Sequence, residues 1–267
     1  MSTSRSDRRV AIVTGANHGI GAATAAALAS RGVDLLVTYL RLADDHGDDY
    51  GRQRARDGSA VVAQIEAGGG RGVAIEADLA DPGTPVRLFD TAESHLGPVE
   101  ILVHNASAWQ KDSFAGGTHD VVGRPNQPVT TASISRQFEV DARAGALLMA
   151  EFIERHRRRR GSWGRIVTLT SGDGGAFPGE VSYGAAKAAL TSYTLSAAAE
   201  MARDGVAANV LYPPVTDTGW ITDEVRAFVE RDDDHHVVAT PEEVADVIAW
   251  LCVEAGRTVT GNVIRLR

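Results

Sequence analysis

The chain has 267 residues, 43% of them hydrophobic and 23% charged, the profile of an ordinary soluble globular protein long enough to bury a sizeable core. Its 27 Lys and Arg against 35 Asp and Glu leave a formal charge of −8, which argues against a general binder of nucleic acid or anionic membranes, because phosphate attraction needs a positive field. The single cysteine, Cys252, excludes an internal disulfide and sits in the apolar run "VIAWLCV", where a small core residue is expected.

Residues 1–8 begin the polar, basic stretch "MSTSRSDRR" and read as a flexible lead. The apolar run behind it, "VAIVTG", is too short for a signal-peptide core or a membrane span, so a cytoplasmic location is expected. "RVAIVT" predicts a first strand, and the alanine-rich "GIGAATAAALASRG" predicts a helix that a glycine ends. Strand-like "VDLLVTY", helix-like "SAVVAQIEAGG" and strand-like "RGVAIEA" follow, then a helix over 83–96 and the strand "EILVHN". A long helix is predicted over 134–159, followed by the strand "GRIVTLTS" and a helix from "SYGAAKAAL". "VAANVLY", the helix "TPEEVADVIAWLCVEA" and a last strand in "GNVIRL" complete the series. In that final helix Thr240 and Glu243 form a capping box, with Pro241 in the first turn.

Strands this apolar have no face to show to water, which implies a parallel sheet covered on both sides. Regular β/α alternation then predicts one doubly wound α/β (Rossmann) domain of about seven strands. Two segments fall outside the alternation and read as surface excursions: the charged residues 41–58 and the Gly/Pro-rich residues 116–129.

"VTGANHGIG" joins the first strand to the first helix. Gly15, Gly19 and Gly21 permit a tight turn, close approach of a ligand and close helix–strand packing, and the helix behind them aims its free N–H groups at a pyrophosphate. The spacing Gly-x-x-x-Gly-x-Gly resembles that of the short-chain dehydrogenase/reductase family, and further stretches match that family in order from about residue 9 to 265. "ADLAD" carries an adenine-pocket motif at Asp78 and Leu79. "HNAS" resembles an Asn-Asn-Ala-Gly segment, retaining Asn105 and Ala106 and continuing to Ser107. Ser171 follows the fifth strand, Tyr183-x-x-x-Lys187 comes next, and "YPPVTDTGW" stands where relatives carry a loop against the nicotinamide. The resemblance implies a nicotinamide-dinucleotide oxidoreductase acting on a small carbonyl or alcohol. It assigns cofactor contacts to Gly15, Asn17, His18, Gly19, Ile20, Gly21, Tyr39, Asp78, Leu79, Asn105, Ala106, Ser107, Pro213, Val215, Thr216 and Thr218, with no metal. It also implies a homodimer or homotetramer built through helices over 134–159 and 182–203.

The end of the second strand selects between NAD and NADP. An acid there would favour NAD, but the sequence reads "LLVTYLR", with Tyr39 near that position and Arg41 behind it. A guanidinium can pair with a 2′-phosphate, so NADP is expected, with His18 as a second basic candidate and Asp44 and Asp45 as opposing charges.

For the chemistry, Tyr183 and Lys187 share one helical face, and an ammonium beside a phenol favours phenolate. At an effective dielectric near 20, unit charges about 5 Å apart interact by roughly 3 kcal/mol, which predicts a phenol pKa lowered by about two units. In the family resemblance Tyr183 is the general acid/base, Lys187 tunes it and holds the nicotinamide ribose, and Ser171 steadies the substrate oxygen. Two positions depart from the pattern. Asp141 stands where relatives often carry an asparagine; it is a candidate relay member that can accept from water but cannot donate as an amide does. Pro214 replaces a glycine, which fixes φ and removes an N–H. "SGDGGAFPGEVSYGAAK" and "DTGW" most resemble members labelled 3-oxoacyl-carrier-protein reductase-like. The readings left open are an NADP-dependent carbonyl reductase, an NAD-dependent sugar or polyol dehydrogenase, and an impaired NADP-binding regulator. Trp109, Phe114, Phe177, Trp220, Ile221 and Phe228 are candidate apolar pocket residues. "RHRRRRG" reads as a helix end and "RDDDHH" as solvated lid rather than a metal site.

Overall fold

The computed structural model describes residues 8–42, 49–119, 125–172, 175–231 and 237–267. Seven parallel strands run in the order β3-β2-β1-β4-β5-β6-β7. They are β1 (Val10–Thr14), β2 (Asp34–Tyr39), β3 (Gly72–Glu76), β4 (Val99–His104), β5 (Gly164–Leu169), β6 (Val206–Tyr212) and β7 (Val263–Arg265). The helices are α1 (Gly19–Ser30), α2 (Asp49–Arg54), α3 (Ser59–Ala67), α4 (Thr84–His95), α5 (Thr131–Gln137), α6 (Ala144–Arg158), α7 (Val181–Met201), α8 (Asp223–Val229) and α9 (Pro241–Val253). β1 and β5 are buried along their whole length, as strands covered by helices on both faces must be.

Two apolar layers flank the sheet. One packs Leu28 of α1 and Ile248 of α9 against Val13 and Val37; the other packs Phe89 of α4, Phe152 of α6 and Leu190 of α7 against Ile12 and Leu102. Phe89 and Phe152 are fully buried and meet edge to face at 6.5 Å. Truncating either to alanine is expected to cost about 3–5 kcal/mol. Cys252 is buried in the first layer, and its thiol is pushed up to about 12 by burial.

Strand order reverses between β1 and β4, whose ends Thr14 and His104 are register partners. Crevices at such a switch point are where open α/β sheets bind ligands. The last helix starts as its sequence indicated: Thr240 Oγ1 accepts from Glu243 N at 3.3 Å, and Glu243 Oε2 accepts from Thr240 N at 2.8 Å.

Two expectations are corrected. The long helix is interrupted: α5 and α6 are joined by a π-helical turn, Phe138–Arg143, which contains Asp141. Such insertions concentrate at functional sites because they redirect one side chain without ending the helix. The charged segment after β2 is also more than a surface excursion, because α2 forms within it and lies over the glycine loop. Asp44 and Asp45 of that segment, residues 120–124 of the second excursion and residues 232–236 of "RDDDHH" lie outside the described residues.

Candidate functional site

A cavity of about 350 Å³ opens at the switch point. Its floor is the β1–α1 turn, where Gly15 and Gly19 hold φ at +64° and +55°, a region side chains rarely tolerate. A Cβ on Gly15 would stand 2.8 Å from Ala106 Cα, and one on Gly21 would stand 2.2 Å from the Gly15 carbonyl oxygen. The turn is bare because backbone from β4 and α1 closes on it. Asn105 fixes it in place, its Nδ2 donating to Thr14 O at 3.1 Å and Gly15 O at 2.8 Å.

Gly15, Asn17, His18, Gly19, Ile20, Tyr39, Asp78, Leu79, Asn105, Ala106, Ser107 and Thr218 all line this cavity. Gly21 stands behind it as a packing glycine. Asp78 meets Arg136 at 3.2 Å and accepts from Ala80 N at 2.9 Å. Burial opposes its charge, yet these bonds hold its carboxyl below the usual range.

Other assigned residues stand elsewhere. Pro213, Val215 and Thr216 are absent from the cavity wall; Thr216 is buried and donates to the Pro214 carbonyl at 2.8 Å, while Val215 O accepts from Ala239 N. Thr216 thus pairs with Ala239 in a short parallel bridge just past Pro214, and Thr218 alone of the loop's candidate contacts reaches the cavity. Arg41 also lies off the wall. Its Nη2 meets Glu76 Oε2 at 2.7 Å and its Nε donates to the same oxygen at 2.9 Å. Glu76 ends β3, the neighbour of β2, so the cation is committed to a carboxylate that the local sequence around Arg41 does not reveal.

Ser171, Tyr183, Lys187 and Asp141 are absent from the cavity wall as well. Ser171 follows β5, and Tyr183 and Lys187 sit in the first turns of α7. Lys187 Nζ stands 5.5 Å from the Tyr183 ring centroid, donates to Leu169 O at 3.1 Å and meets Asp141 Oδ1 at 2.8 Å. Lys187 and Asp141 are both buried. Asp141 Oδ2 accepts from Gln137 Nε2 at 2.7 Å and Ala108 N at 3.0 Å. Burial opposes the charge on Lys187, but the carboxylate and the phenol hold its pKa above the ordinary value.

The expected lowering of the Tyr183 pKa is overturned. Burial is the largest influence and pushes it up; Lys187 pulls it down, Asp141 pushes it up again, and the Ser171 hydroxyl pulls it down. The net direction is upward, because burial outweighs the ammonium's pull and the Asp141 carboxylate adds to the upward push.

Three contributors escaped the sequence reading. His104 ends β4, with Nδ1 3.0 Å from Thr14 Oγ1 and Nε2 3.2 Å from the Asp141 carbonyl. A carbonyl can only accept, so Nε2 carries the proton and Nδ1 accepts from the Thr14 hydroxyl. Burial, reinforced by Lys187, pushes its pKa down to about 4, so the ring is neutral at pH 7. Thr14 Oγ1 in turn accepts from Asn105 N and Ala106 N, which ties the glycine turn to the π-helical turn. Asp112 is the second. It is fully buried and accepts from Ser182 N at 2.8 Å and from the hydroxyls of Ser182 and Ser133, clamping the segment after β4 to the start of α7 beside Tyr183. The third is α2, whose Tyr50 and Arg54 line the cavity. Of the candidate pocket aromatics, Phe177 packs on Tyr183 at 5.8 Å and Trp109 lines the cavity, whereas Phe114 is 85% exposed.

A seven-stranded parallel sheet with a glycine turn at its switch point, and a Ser/Tyr/Lys set one strand away, defines a Rossmann-fold oxidoreductase. Residues 15–266 match the family model described as enoyl-(acyl carrier protein) reductase. Cis-4-hydroxycyclohexanecarboxylate dehydrogenase of Sinomonas cyclohexanicum is 31% identical over 96% of this chain and 94% of its own length. A short-chain dehydrogenase from Burkholderia cenocepacia J2315, solved in complex with NADP, superposes with a TM-score of 0.78 at 29% identity, covering 97% of this chain and 96% of that one. A 3-oxoacyl (acyl-carrier-protein) reductase from Agrobacterium tumefaciens C58 with NADP bound gives 0.79 at 27% identity over 97% and 92%. The chain belongs to the short-chain dehydrogenase/reductase family and is an NAD(P)-dependent oxidoreductase.

Among the described residues no helix is long and apolar enough to cross a membrane, and no group of three or more His, Cys, Asp or Glu could hold a metal ion.

Proposed function

We propose that the protein interconverts a ketone and a secondary alcohol with NADP, Tyr183 serving as general acid/base. The observation that carries this reading is the geometry of α7, in which Lys187 is fixed 5.5 Å from the Tyr183 ring by Asp141 and Leu169. The site fits a dinucleotide, since the bare glycine turn floors a cavity of about 350 Å³ at the switch point. Gly15, Gly19, Asn105 and Ala106 would hold its phosphate and ribose portion, and Asp78 and Leu79 its adenine. When bound, the nicotinamide supplies or accepts the hydride.

The chain's own residues handle the oxygen and its proton. Ser171 donates to the substrate oxygen and orients it. The Tyr183 hydroxyl gives its proton to that oxygen during reduction and takes it back during oxidation. A phenol held above its ordinary pKa is fully protonated at neutral pH, which suits the acid role. Alcohol oxidation needs the phenolate, so its rate rises toward alkaline pH. Burial sets this poise and Asp141 adds to it, while Phe177 and Trp109 give the substrate an apolar surround. NADP complexes among the structural relatives and a cyclic secondary alcohol in one relative's name support the cofactor and substrate class.

A cytoplasmic dimer or tetramer belongs to the same reading, supported by exposed Ile134, Leu147 and Tyr193 on α5, α6 and α7. Sedimentation showing only monomer would remove that part. The catalytic part is tested with Tyr183→Phe: ketone reduction falls steeply while NADPH fluorescence still reports binding. Retained turnover on a good substrate would refute the assignment.

A further inference from the structure

Arg41 was the expected reader of the 2′-phosphate, and it is occupied by Glu76 at 2.7 Å. The adenosine end of the cavity nevertheless holds a half-buried cation of another origin. Arg54, the last residue of α2, lines the cavity together with Tyr50 and His18, beside Tyr39, Leu40 and Asp78.

The three side chains form one cluster. The His18 ring meets the Tyr50 ring edge-on at 5.9 Å, and the Arg54 guanidinium lies 5.3 Å from the Tyr50 ring centroid. The backbone holds them there. Asn17 of the glycine turn donates from Nδ2 to Arg56 O at 2.9 Å and Arg54 O at 3.4 Å, and Leu42 N, just past β2, donates to Arg54 O at 3.3 Å. The end of α2 is thereby fastened both to the phosphate-side turn and to the strand end where the adenosine ribose belongs. Among the described residues no carboxylate forms an ion pair with Arg54, whereas Arg41, Arg71, Arg136 and Arg155 each have one. The imbalance registers on His18, which is pushed down to about 4 by burial and by the charges of Arg54 and Arg56. A pocket wall carrying a cation with no carboxylate partner among the described residues, beside a flat aromatic support, is complementary to a phosphate dianion.

We propose that Arg54, braced by Tyr50 and His18, is the residue that recognises the 2′-phosphate and so sets the preference for NADP, with Arg41 serving only to tie β2 to β3. This rests on the proposed use of NADP and names the residue responsible. The end of α2 then acts as a phosphate clamp beside the glycine turn.

The test is equilibrium binding, read by fluorescence or calorimetry, of NADPH, NADH, adenosine 2′,5′-bisphosphate and adenosine 5′-monophosphate to wild type, Arg54→Ala, Arg54→Lys and Arg41→Ala. Loss of one charge-assisted phosphate contact is expected to weaken NADPH and the bisphosphate by about tenfold to a hundredfold in Arg54→Ala. NADH and the monophosphate stay within about twofold, Arg54→Lys retains part of the discrimination, and Arg41→Ala binds like wild type. NADH binding that is undisturbed in Arg54→Ala also shows that the cavity is intact. If wild type prefers NADPH and Arg54→Ala keeps that preference, the assignment to Arg54 is overturned while the NADP reading stands. If wild type binds NADH as tightly as NADPH, the NADP reading itself fails.

Discussion

The Tyr183 site and the adenosine end of the cavity are built on opposite plans. At the proposed catalytic site, Tyr183 and Lys187 come from adjacent turns of one 21-residue helix, and Asp141, the partner of Lys187, is pinned by a redirected turn. At the adenosine end, the cation comes from a six-residue helix inserted after β2 and held by backbone bonds to the glycine turn. The first plan places groups to within hydrogen-bond distance, as proton transfer requires. The second presents charge to a phosphate, which tolerates looser placement because attraction between full charges falls off slowly. Chemistry should therefore be lost by changes at one site and cofactor choice by changes at the other.

The largest expected effect is at Tyr183. Tyr183→Phe removes the transferable proton and should lower turnover by about 10²–10⁴-fold, read in single-turnover reduction at saturating NADPH. Cofactor affinity should hardly change. The Arg54→Ala binding series gives the next largest change, confined to ligands that carry the 2′-phosphate.

Asp141→Asn sharpens the catalytic half. Removing a negative charge near the phenol favours phenolate, so the apparent pKa governing alcohol oxidation should fall and the pH–rate profile should move toward lower pH. The Leu169 carbonyl still holds the ammonium in that variant. An unmoved profile would reduce Asp141 to a packing role.

Asp112→Ala probes the clamp on α7. It leaves buried donors of Ser182 and Ser133 without their acceptor, at a cost of about 1–3 kcal/mol, visible as a lower melting temperature. Burial opposes its charge, but these bonds hold the Asp112 pKa below the ordinary carboxylate value. Its contribution is therefore complete above the unfolded value near 4 and is lost as pH falls through the folded pKa, so wild type should lose more stability than the variant on acidification. The smallest effect is at Arg41, whose exposed pair with Glu76 is worth little, and Arg41→Ala should melt within a degree or two of wild type.

The sheet, the glycine turn and the Tyr183/Lys187 pair were legible because each depends on local pattern: apolar strand runs, glycine spacing and residues four apart on a helix. The poise of Tyr183 was not legible. It depends first on how deeply the phenol is buried and then on which charge faces Lys187, and that partner arrives through a π-helical turn with no composition signal of its own. The same limit applied to Arg41. Its neighbours in sequence suggested a free cation, but Glu76 stands beside it only once β2 and β3 pair. Arg54 was hidden for the converse reason, since α2, inside a charged stretch read as a surface excursion, is bonded to the glycine turn and lines the cavity. Strand order and helix faces follow from periodicity, whereas charge partners follow from tertiary pairing.

The separation of chemistry from cofactor choice is tested most directly by measuring hydride-transfer rate and NADPH affinity on the same two variants. Tyr183→Phe should lose the rate at saturating NADPH and keep the affinity; Arg54→Ala should lose affinity for NADPH, keep it for NADH, and recover a near-wild-type rate once saturated. A Tyr183→Phe protein that still transfers hydride at close to the wild-type rate would contradict the account.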